Sequence, residues 1–301
     1  MSGPVAARID REKCIGCGLC VAVCPDRTLC LVDDKAVICG TECINCGHCQ
    51  AVCVVGAVSV ISAAMDFVTF REDLRWLPFD EFDLPSLVRL MRSRRSCRNF
   101  TDQAVSRDVL ADLVRIGTTA PSGTNSQGWT FTVLDCRQAV ISFGNQVAAF
   151  FQKLNNMAAN PLLRLAAKLF AKDRLGSYYR RYYQTIARGL REWQEEGRDR
   201  LFHGAPAVIL VGGTDEASCP AEDALLATQN ILLAAHAMGL GTCLIGFAVE
   251  AIRHDSAIKK HLAIPAAESV FAVIALGYPA EKYQQVCGRK PVEPRYPRLA
   301  D

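Results

Sequence analysis

The chain has 301 residues, of which 50% are hydrophobic and 22% are charged. This length and composition allow the core of one or two domains and exclude a disordered tail or a miniature scaffold. Its 34 Lys and Arg against 31 Asp and Glu give a charge of +3, so we expect neither nucleic acid nor a membrane as a partner. The sequence contains no run of about 18 apolar residues and opens without a signal-peptide pattern, so we expect a cytoplasmic protein.

Cysteine usage divides the chain into two parts. Ten of the 15 cysteines fall within the first 53 residues. An odd total without an export signal argues against a secreted disulfide framework and favours metal ligation in a reducing compartment.

The cysteine-rich segment is an internal repeat. CIGCGLCVAVC at 14–24 and CINCGHCQAVC at 43–53 share the spacing C-x2-C-x2-C-x3-C. In such a run three thiolates bind one iron–sulfur cluster and the fourth ligates the cluster of the other copy. Two structural zinc sites are the alternative, although these usually separate their CxxC pairs more widely. We assign one [4Fe-4S] cluster to Cys14, Cys17, Cys20 and Cys53, and a second to Cys43, Cys46, Cys49 and Cys24.

Residues 8–62 resemble the bacterial two-cluster ferredoxins, including Pro25 after the fourth cysteine. Val54 stands where the second copy in that family has proline, which leaves all eight ligands in place. The resemblance implies a small ferredoxin-like domain, a βαβ repeat over residues 1–62, that moves single electrons. Cys30 and Cys39 lie outside the pattern, and we expect them to fill the small core.

A connector and a basic motif follow the cysteines. Residues 63–83 show no sustained period, and we expect Trp76 and Phe79 to pin them to a second domain. A helical period begins at residue 84 and runs into RRSCRNF. Guanidinium forks and a hydroxyl suit a phosphate monoester, although a basic helix end is often only a solvated face. The candidate phosphate ligands are Arg94, Arg95, Ser96 and Arg98.

Residues 106–135 read as a helix, a loop and a strand. Ser106 is the candidate N-cap of a helix that ends at Ile116, and the strand covers 130–135. The loop between them, APSGTNSQG, contains Ser122, Asn125 and Gln127. Small side chains allow close approach to a flat ring, and amides offer donors and acceptors to its polar edge; an ordinary polar loop has the same composition.

Residues 145–203 form a basic insertion. From 151 to 200 there are 11 Lys and Arg against five Asp and Glu. The stretch PLLRLAAKLF carries Leu162, Leu165 and Leu169 beside basic residues, and SYYRRYYQ follows it. A basic amphipathic helix can lie on a membrane. We expect instead a lid packed on its own domain, with residues 178–183 along a pocket that favours an anionic substrate.

The last third of the chain contains an apolar helix and a buried strand. AEDALLATQNILLAAHAMGLG is apolar on several faces, which indicates a subunit interface. VFAVIALGYP reads as a strand, and CGRKP returns an arginine to the domain.

Residues 84–301 resemble the nitroreductase family of FMN enzymes through RRSCRNF, APSGTNSQGW, GLGTCLIGF, LGYP and RKP, in the family's order. The resemblance implies an α+β fold, with a three-layer α/β/α domain around a mixed sheet, and a homodimer with FMN at its interface. It implies FMN phosphate and ribityl contacts from Arg94, Arg95, Ser96, Arg98 and Arg289. Ser122, Asn125 and Gln127 would come from the other subunit, while Leu244, Ile245 and Gly246 would lie along the ring, with the Gly246 backbone at flavin N5.

Together these expectations describe an iron–sulfur flavoprotein oxidoreductase. A ferredoxin-type protein or NAD(P)H would supply electrons, two [4Fe-4S] clusters would relay them to FMN, and a small molecule would receive a hydride. The acceptor classes that the resemblance implies are nitroaromatics, quinones and activated alkenes, and no side chain is assigned as a catalytic acid or base. The alternatives are an electron-transfer or redox-sensing module with a protein partner, and a flavin-modifying enzyme.

Overall fold

The computed structural model describes residues 5–60, 65–72, 75–170 and 173–297. The cysteine-rich half consists of two similar units. In chain order its elements are β1 (Ala7–Ile9), α1 (Leu19–Ala22), β2 (Leu29–Val32), β3 (Lys35–Ile38), α2 (His48–Ala51) and β4 (Val58–Val60). β1 pairs with β4, and β2 pairs with β3, both antiparallel.

Each short helix of this half begins after a glycine with a left-handed backbone. Gly18 has φ 74° before α1, and Gly47 has φ 72° before α2. Glycine adopts this conformation without the Cβ penalty of other residues. Cys39 is exposed, so the expectation that it fills the core was wrong; Cys30 is half-buried.

The connector is anchored by a carboxylate and not by its aromatic residues. The backbone N–H groups of Val68 and Thr69 donate to Asp112, at 2.7–3.1 Å. Trp76 is 72% exposed and Phe79 is 91% exposed, so the expectation that they pin the connector was wrong. The buried Asp112 carboxylate instead satisfies two donors of a segment that has no sheet partner.

The larger half has nine helices and four strands among its described residues. Its helices are α3 (Leu84–Ser93), α4 (Arg107–Gly117), α5 (Arg137–Ala159), α6 (Pro161–Phe170), α7 (Arg174–Arg181), α8 (Tyr183–Glu196), α9 (Pro220–Ala237), α10 (Gly246–His254) and α11 (Ser256–His261). Its strands are β5 (Trp129–Leu134), β6 (Ala207–Thr214), β7 (Gly241–Leu244) and β8 (Glu268–Gly277). None of these helices is long and apolar enough to cross a membrane.

The sheet has the order β5-β6-β8-β7 and separates two apolar cores. On β6, Val208 and Leu210 face the core beneath α5 and α10, whereas Ile209 and Val211 face the core beneath α4 and α9. This alternation is the two-residue period of a strand buried on both faces. Neighbouring strands are antiparallel, and a parallel bridge joins Ser96 to Thr242. The expected α+β fold with helices on both faces of the sheet is confirmed. The expectation of a mixed sheet was wrong for the four named strands, because parallel pairing is limited to the single bridge at Ser96.

Candidate functional site

The four cysteines assigned to the first cluster line one cavity. Cys14, Cys17, Cys20 and Cys53 share it with apolar side chains of the same half. Backbone N–H groups point at two of the sulfurs: Ala36 N lies 3.4 Å from Cys14 Sγ, and Ala57 N lies 3.1 Å from Cys53 Sγ. The Ala36 amide lowers the pKa of the Cys14 thiol. Amides that stabilise thiolate are what a sulfur ligand of an iron cluster requires.

The four cysteines assigned to the second cluster are contributed by both repeats. Burial raises the pKa of Cys49, and the nearby Cys46 and Cys24 raise it further, so the structure brings Cys24 to the second copy. Thr28 N donates to Cys24 Sγ at 3.3 Å, and Asn45 N donates to Cys43 Sγ at 3.3 Å. Among the described residues, no three Cys, His, Asp or Glu side chains lie close enough to hold a single metal ion; a [4Fe-4S] cluster instead takes one thiolate at each of its four irons.

One contact beside the second set was not foreseen from the sequence. His48 Nδ1 lies 3.0 Å from Cys46 Sγ, although His48 shows no metal-binding spacing of its own. The signal was its place directly after Gly47, where the first turn of α2 directs side chains back toward the cysteine loop.

The predicted phosphate ligands form a cationic cluster against β7. Burial lowers the pKa of Arg94, and the neighbouring Arg95 and Arg289 lower it further. The bridge between Ser96 and Thr242, with the Cys97 N–H donating to the Thr242 carbonyl at 2.9 Å, fixes this segment along the strand. In the described part of the chain no carboxylate forms an ion pair with these three guanidinium groups, so they repel one another and suit a multiply charged anion.

A cavity of about 1500 Å³ opens beside this cluster. Arg98 and His203 line it together with Leu244, Ile245 and Gly246. A Cβ placed on Gly246 would meet no atom within 4 Å, so the backbone there faces open space in which a flat ring can approach. The residues present therefore fit FMN, with a cationic cluster for its phosphate and an open glycine for its ring.

The loop at 122–127 is tightly held but lies elsewhere. Thr124, Asn125 and Gln127 have φ of 49°, 53° and 49°, a region that costs non-glycine residues free energy. Asp223 compensates: its carboxylate accepts from Gly123 N at 2.9 Å and from Ser126 Oγ at 3.4 Å. Ser122 Oγ accepts from Gln127 N at 3.0 Å.

Asn125 of this loop touches the cysteine-rich half. Its Nδ2 donates to the carbonyl of Ile44 at 2.9 Å and to the carbonyl of Asn45 at 3.0 Å. Both acceptors lie between Cys43 and Cys46, in the loop of the second cysteine set. The two halves of the chain therefore meet where one carries the second set and the other carries the predicted ring-binding loop.

One chain does not bring all the predicted flavin contacts together. The loop at 122–127 precedes β5, at one edge of the sheet, whereas 245–246 follow β7, at the opposite edge. Three strand spacings separate the two edges, about 14 Å. In the described part of the chain, the lining of the large cavity includes none of Ser122, Asn125 and Gln127.

Comparisons with known proteins agree with this architecture. The model of the Nitroreductase family matches residues 91–278. This chain belongs to the nitroreductase family. The model of the 4Fe-4S binding domain matches residues 7–29, so this nitroreductase carries an iron–sulfur binding domain at its N-terminal end. The expectation of an oxidoreductase enzyme is confirmed.

Several relatives match most of the larger half of this nitroreductase. A 4-nitrobenzoate reductase of Pseudomonas putida is 27% identical over 217 residues, which cover 67% of this chain and 87% of the relative. An NADH dehydrogenase of Thermus thermophilus is 28% identical, over 63% of this chain and 84% of the relative. A solved nitroreductase with bound FMN from Desulfitobacterium hafniense superposes with a TM-score of 0.49 and 21% identity, over 68% of this chain and 97% of that chain.

The insertion of this nitroreductase contributes one side of the cavity. Tyr178, Arg181 and Tyr182 line it, as expected. Tyr178 Oη donates to Asn155 Oδ1 at 2.6 Å, and burial raises the pKa of Tyr178. Arg180 Nη2 instead pairs with Asp173 Oδ2 at 2.8 Å. The guanidinium carbon of Arg164 lies 4.1 Å from the centre of the Tyr179 ring. Of the residues 178–183 expected along the pocket, Tyr178, Arg181 and Tyr182 therefore line it, and the expectation was wrong for Tyr179, Arg180 and Tyr183.

The apolar face of α6 is not covered within this nitroreductase. Leu162, Leu165 and Leu169 are 73%, 57% and 71% exposed, so the expectation that this face packs on its own domain was wrong. The turn of the helix places Leu163 and Ala167 toward the cavity instead. Because the two sets lie on different sides of one helix, α6 cannot bury both against one surface.

Proposed function

We propose that this chain is an iron–sulfur flavoprotein that takes electrons from a low-potential donor and reduces an organic acceptor. Residues 1–62 would be the electron-transfer domain, 63–83 the connector, and 84–301 the FMN domain with its lid insertion at 145–203. The observation that carries the proposal is the pair of hydrogen bonds from Asn125 to the loop between Cys43 and Cys46. This contact joins the cluster-binding half to a loop of the flavin-binding half.

The cysteines would hold two [4Fe-4S] clusters. Cys14, Cys17, Cys20 and Cys53 would ligate the first, while Cys43, Cys46, Cys49 and Cys24 would ligate the second. The N–H groups of Ala36 and Ala57 would hold their sulfurs in the thiolate state, and hydrogen bonds to cluster sulfur ligands help to set the reduction potential.

The arginine cluster would anchor FMN. Arg94, Arg95, Arg98, Ser96 and Arg289 would hold the phosphate and ribityl chain, and the open backbone at Gly246, with Leu244 and Ile245, would lie along the ring. Ser122, Asn125 and Gln127 would complete the site from the second subunit of a homodimer. When bound, FMN would supply single-electron acceptance and hydride donation. His203 lines the same cavity, and burial lowers its pKa, so at neutral pH it would be an uncharged hydrogen-bonding group.

The cavity charges favour an anionic aromatic acceptor. Arg98, Arg174, Arg181 and Arg200 line the cavity. Arg200 is paired with Glu192, and the lining carboxylate of Glu250 is paired with Arg253 at 2.9 Å, so Arg98, Arg174 and Arg181 supply the excess positive charge. A cation-lined site concentrates anions. Nitroaromatic carboxylates therefore fit better than neutral nitroaromatics, and one relative is named for 4-nitrobenzoate. Quinones and activated alkenes are the other acceptor classes that the site can admit.

The test is anaerobic purification followed by turnover. We expect about eight irons with matching sulfide, and one FMN, per chain. Protein reduced by a low-potential ferredoxin should turn over 4-nitrobenzoate repeatedly, whereas NAD(P)H in its place tests the second donor. Much less iron would contradict the relay, and protein without FMN would contradict the enzyme. Reoxidation by protein carriers alone would identify an electron-transfer module, and loss of the flavin chromophore during turnover would identify flavin-modifying chemistry.

A further inference from the structure

The flavin site of one chain is incomplete. The cavity beside Gly246 and the loop at 122–127 lie at opposite edges of one sheet, about 14 Å apart across three strand spacings. Both parts carry the chemistry of a flavin site, yet no rearrangement of side chains can close that distance. A second copy of the chain is needed to place a loop against a cavity.

The surface next to the loop is suited to that second copy. α9, whose Asp223 holds the loop through Gly123, exposes Leu225 and Leu226 one half-turn further on, at 51% and 45%. The extended C-terminal segment 280–297 exposes Val292 at 88% and Tyr296 at 85%. Apolar side chains as exposed as these, on α9 and on the C-terminal segment 280–297, are typical of a subunit interface. The occupant that fits is a copy whose own cavity meets this loop.

The cluster-binding half contacts the loop at 122–127 and not the cavity beside Gly246. Asn125 of the loop binds the carbonyls of Ile44 and Asn45 of its own chain. The loop and the second cysteine set of one chain are therefore neighbours. A flavin covered by this loop lies next to that second cysteine set, even when the flavin is anchored by the other chain. The cavity that the first cysteine set lines includes neither Ile44 nor Asn45, and two of its other lining residues are exposed, Ile15 at 62% and Val54 at 77%, which leaves it open to a donor.

We propose that electron delivery runs between subunits. The first cluster receives electrons, the second cluster passes them on across the Asn125 contact, and the receiving flavin is anchored by Arg94 and Arg98 of the partner subunit. Each single electron would leave a reduced second cluster and arrive at that flavin, and two such transfers, with one proton taken up from solvent, would supply a hydride. This inference rests on the proposed function, because it requires both cofactors.

Mixed dimers of two defective chains test the direction of delivery. One chain carries Cys43→Ala and Cys46→Ala, which remove the second cluster, and the other carries Arg94→Ala and Arg98→Ala, which remove the flavin anchor. Co-expressed with different tags, they give a dimer with one flavin, held by the chain without the second cluster. We expect a reduced ferredoxin to bleach this flavin at least 10-fold faster than it bleaches the flavin of the cluster-defective homodimer. An equal rate would overturn the proposal.

The reciprocal dimer is the matched control. A chain with all four substitutions, paired with an unmodified chain, also holds one flavin per dimer and one intact second cluster. Here both lie on the same chain, so we expect bleaching at the slow rate of the cluster-defective homodimer. Fast bleaching in this dimer, or a monomeric unmodified protein that reduces its flavin, would overturn delivery between subunits. Unmodified protein without FMN or with unreduced flavin would instead contradict the proposed function.

Asn125→Asp provides a test that does not depend on cluster ligands. The carboxylate has no donor for the carbonyls of Ile44 and Asn45, so we expect faster hydrogen–deuterium exchange in residues 43–46 and slower bleaching per bound flavin. Ser218→Ala is the control, because it removes the 2.6 Å contact with Thr124 Oγ1 in the same loop and leaves Asn125 in place. Unchanged exchange and bleaching in Asn125→Asp would contradict a role for this contact.

Discussion

At the scale of the residue, Asp112 of α4 anchors the connector to the larger domain. Its carboxylate is fully buried and accepts from Val68 N, Thr69 N, Thr69 Oγ1 and Arg115 Nη1. Burial alone would raise its pKa, but these hydrogen bonds outweigh that effect and lower the pKa to about 2. A carboxylate with four donors is therefore a stabilising element of the connector.

We predict that Asp112→Asn destabilises the fold by about 2 kcal/mol, the free energy that corresponds to the lowered pKa. Because the folded pKa lies below the unfolded one, this stability is present above pH 4 and is lost as the pH falls toward 2. The loss in the variant should therefore be constant between pH 5 and pH 8, measured as a lower thermal midpoint by circular dichroism. Asp135→Asn is the control, since it removes only an ion pair with the largely exposed Arg107, which contributes about 0–1 kcal/mol. Equal losses in both variants would contradict the prediction.

Gly246 allows the flavin site to be tested without unfolding it. A Cβ at this position meets no protein atom within 4 Å, so Gly246→Ala should change the free energy of unfolding of the flavin-free protein by less than about 1 kcal/mol. The methyl group would stand in the space proposed for the ring, and we expect FMN binding to weaken about 10-fold in a fluorescence titration. Gly189→Ala, in the interior of α8 with only Arg200 Cβ at 4.0 Å, should leave FMN affinity unchanged. Undiminished affinity in Gly246→Ala would place the ring elsewhere.

At the scale of the element, local sequence signals predicted where helices and strands lie. They did not predict which way the side chains of a helix point or what anchors the connector. Ser106 was predicted as an N-cap, and its Oγ accepts from Val109 N at 3.3 Å; the strand predicted at 130–135 begins and ends one residue earlier. Such features depend on neighbouring residues. The anchor of the connector depends on Asp112, more than 40 positions from Val68, and no local period reports a contact of that range.

The helix α7 separates two adjacent arginines. Successive helical residues point about 100° apart, so Arg181 lines the cavity while Arg180 pairs with Asp173. We predict that Arg181→Ala raises the KM for 4-nitrobenzoate about 3- to 10-fold, the loss of about 1 kcal/mol of attraction, with little effect on nitrobenzene. Arg180→Ala, one residue away with the same charge change, should alter neither acceptor. Equal effects of the two variants in steady-state kinetics would show that the pocket does not select anions through Arg181.

At the scale of the whole molecule, the residue patterns predicted the parts of the site, whereas only the family resemblance implied that the loop and the ring site belong to different subunits. The motifs around Arg94, Ser122 and Gly246 occur in the expected order along the chain. Their distance in space depends on the strand order β5-β6-β8-β7, in which consecutive strands are not always neighbours. Strand order is fixed by packing of distant segments, so the sequence alone could not show that the loop and the cavity lie at opposite edges.

The exposed leucines of α9 offer a test of the proposed dimer. We predict that Leu225→Arg with Leu226→Arg gives a monomer in analytical ultracentrifugation, because charged groups cannot be buried unpaired in an apolar interface. The monomer should lose FMN, since the loop of a second chain is missing, and should keep its iron, since both cysteine sets come from one chain. Leu162→Arg with Leu165→Arg, on the more exposed face of α6, is the matched control and should leave both the mass and the FMN content unchanged. A dimeric α9 variant would place the interface elsewhere, and a monomer that retains FMN would mean that one chain completes the flavin site by itself.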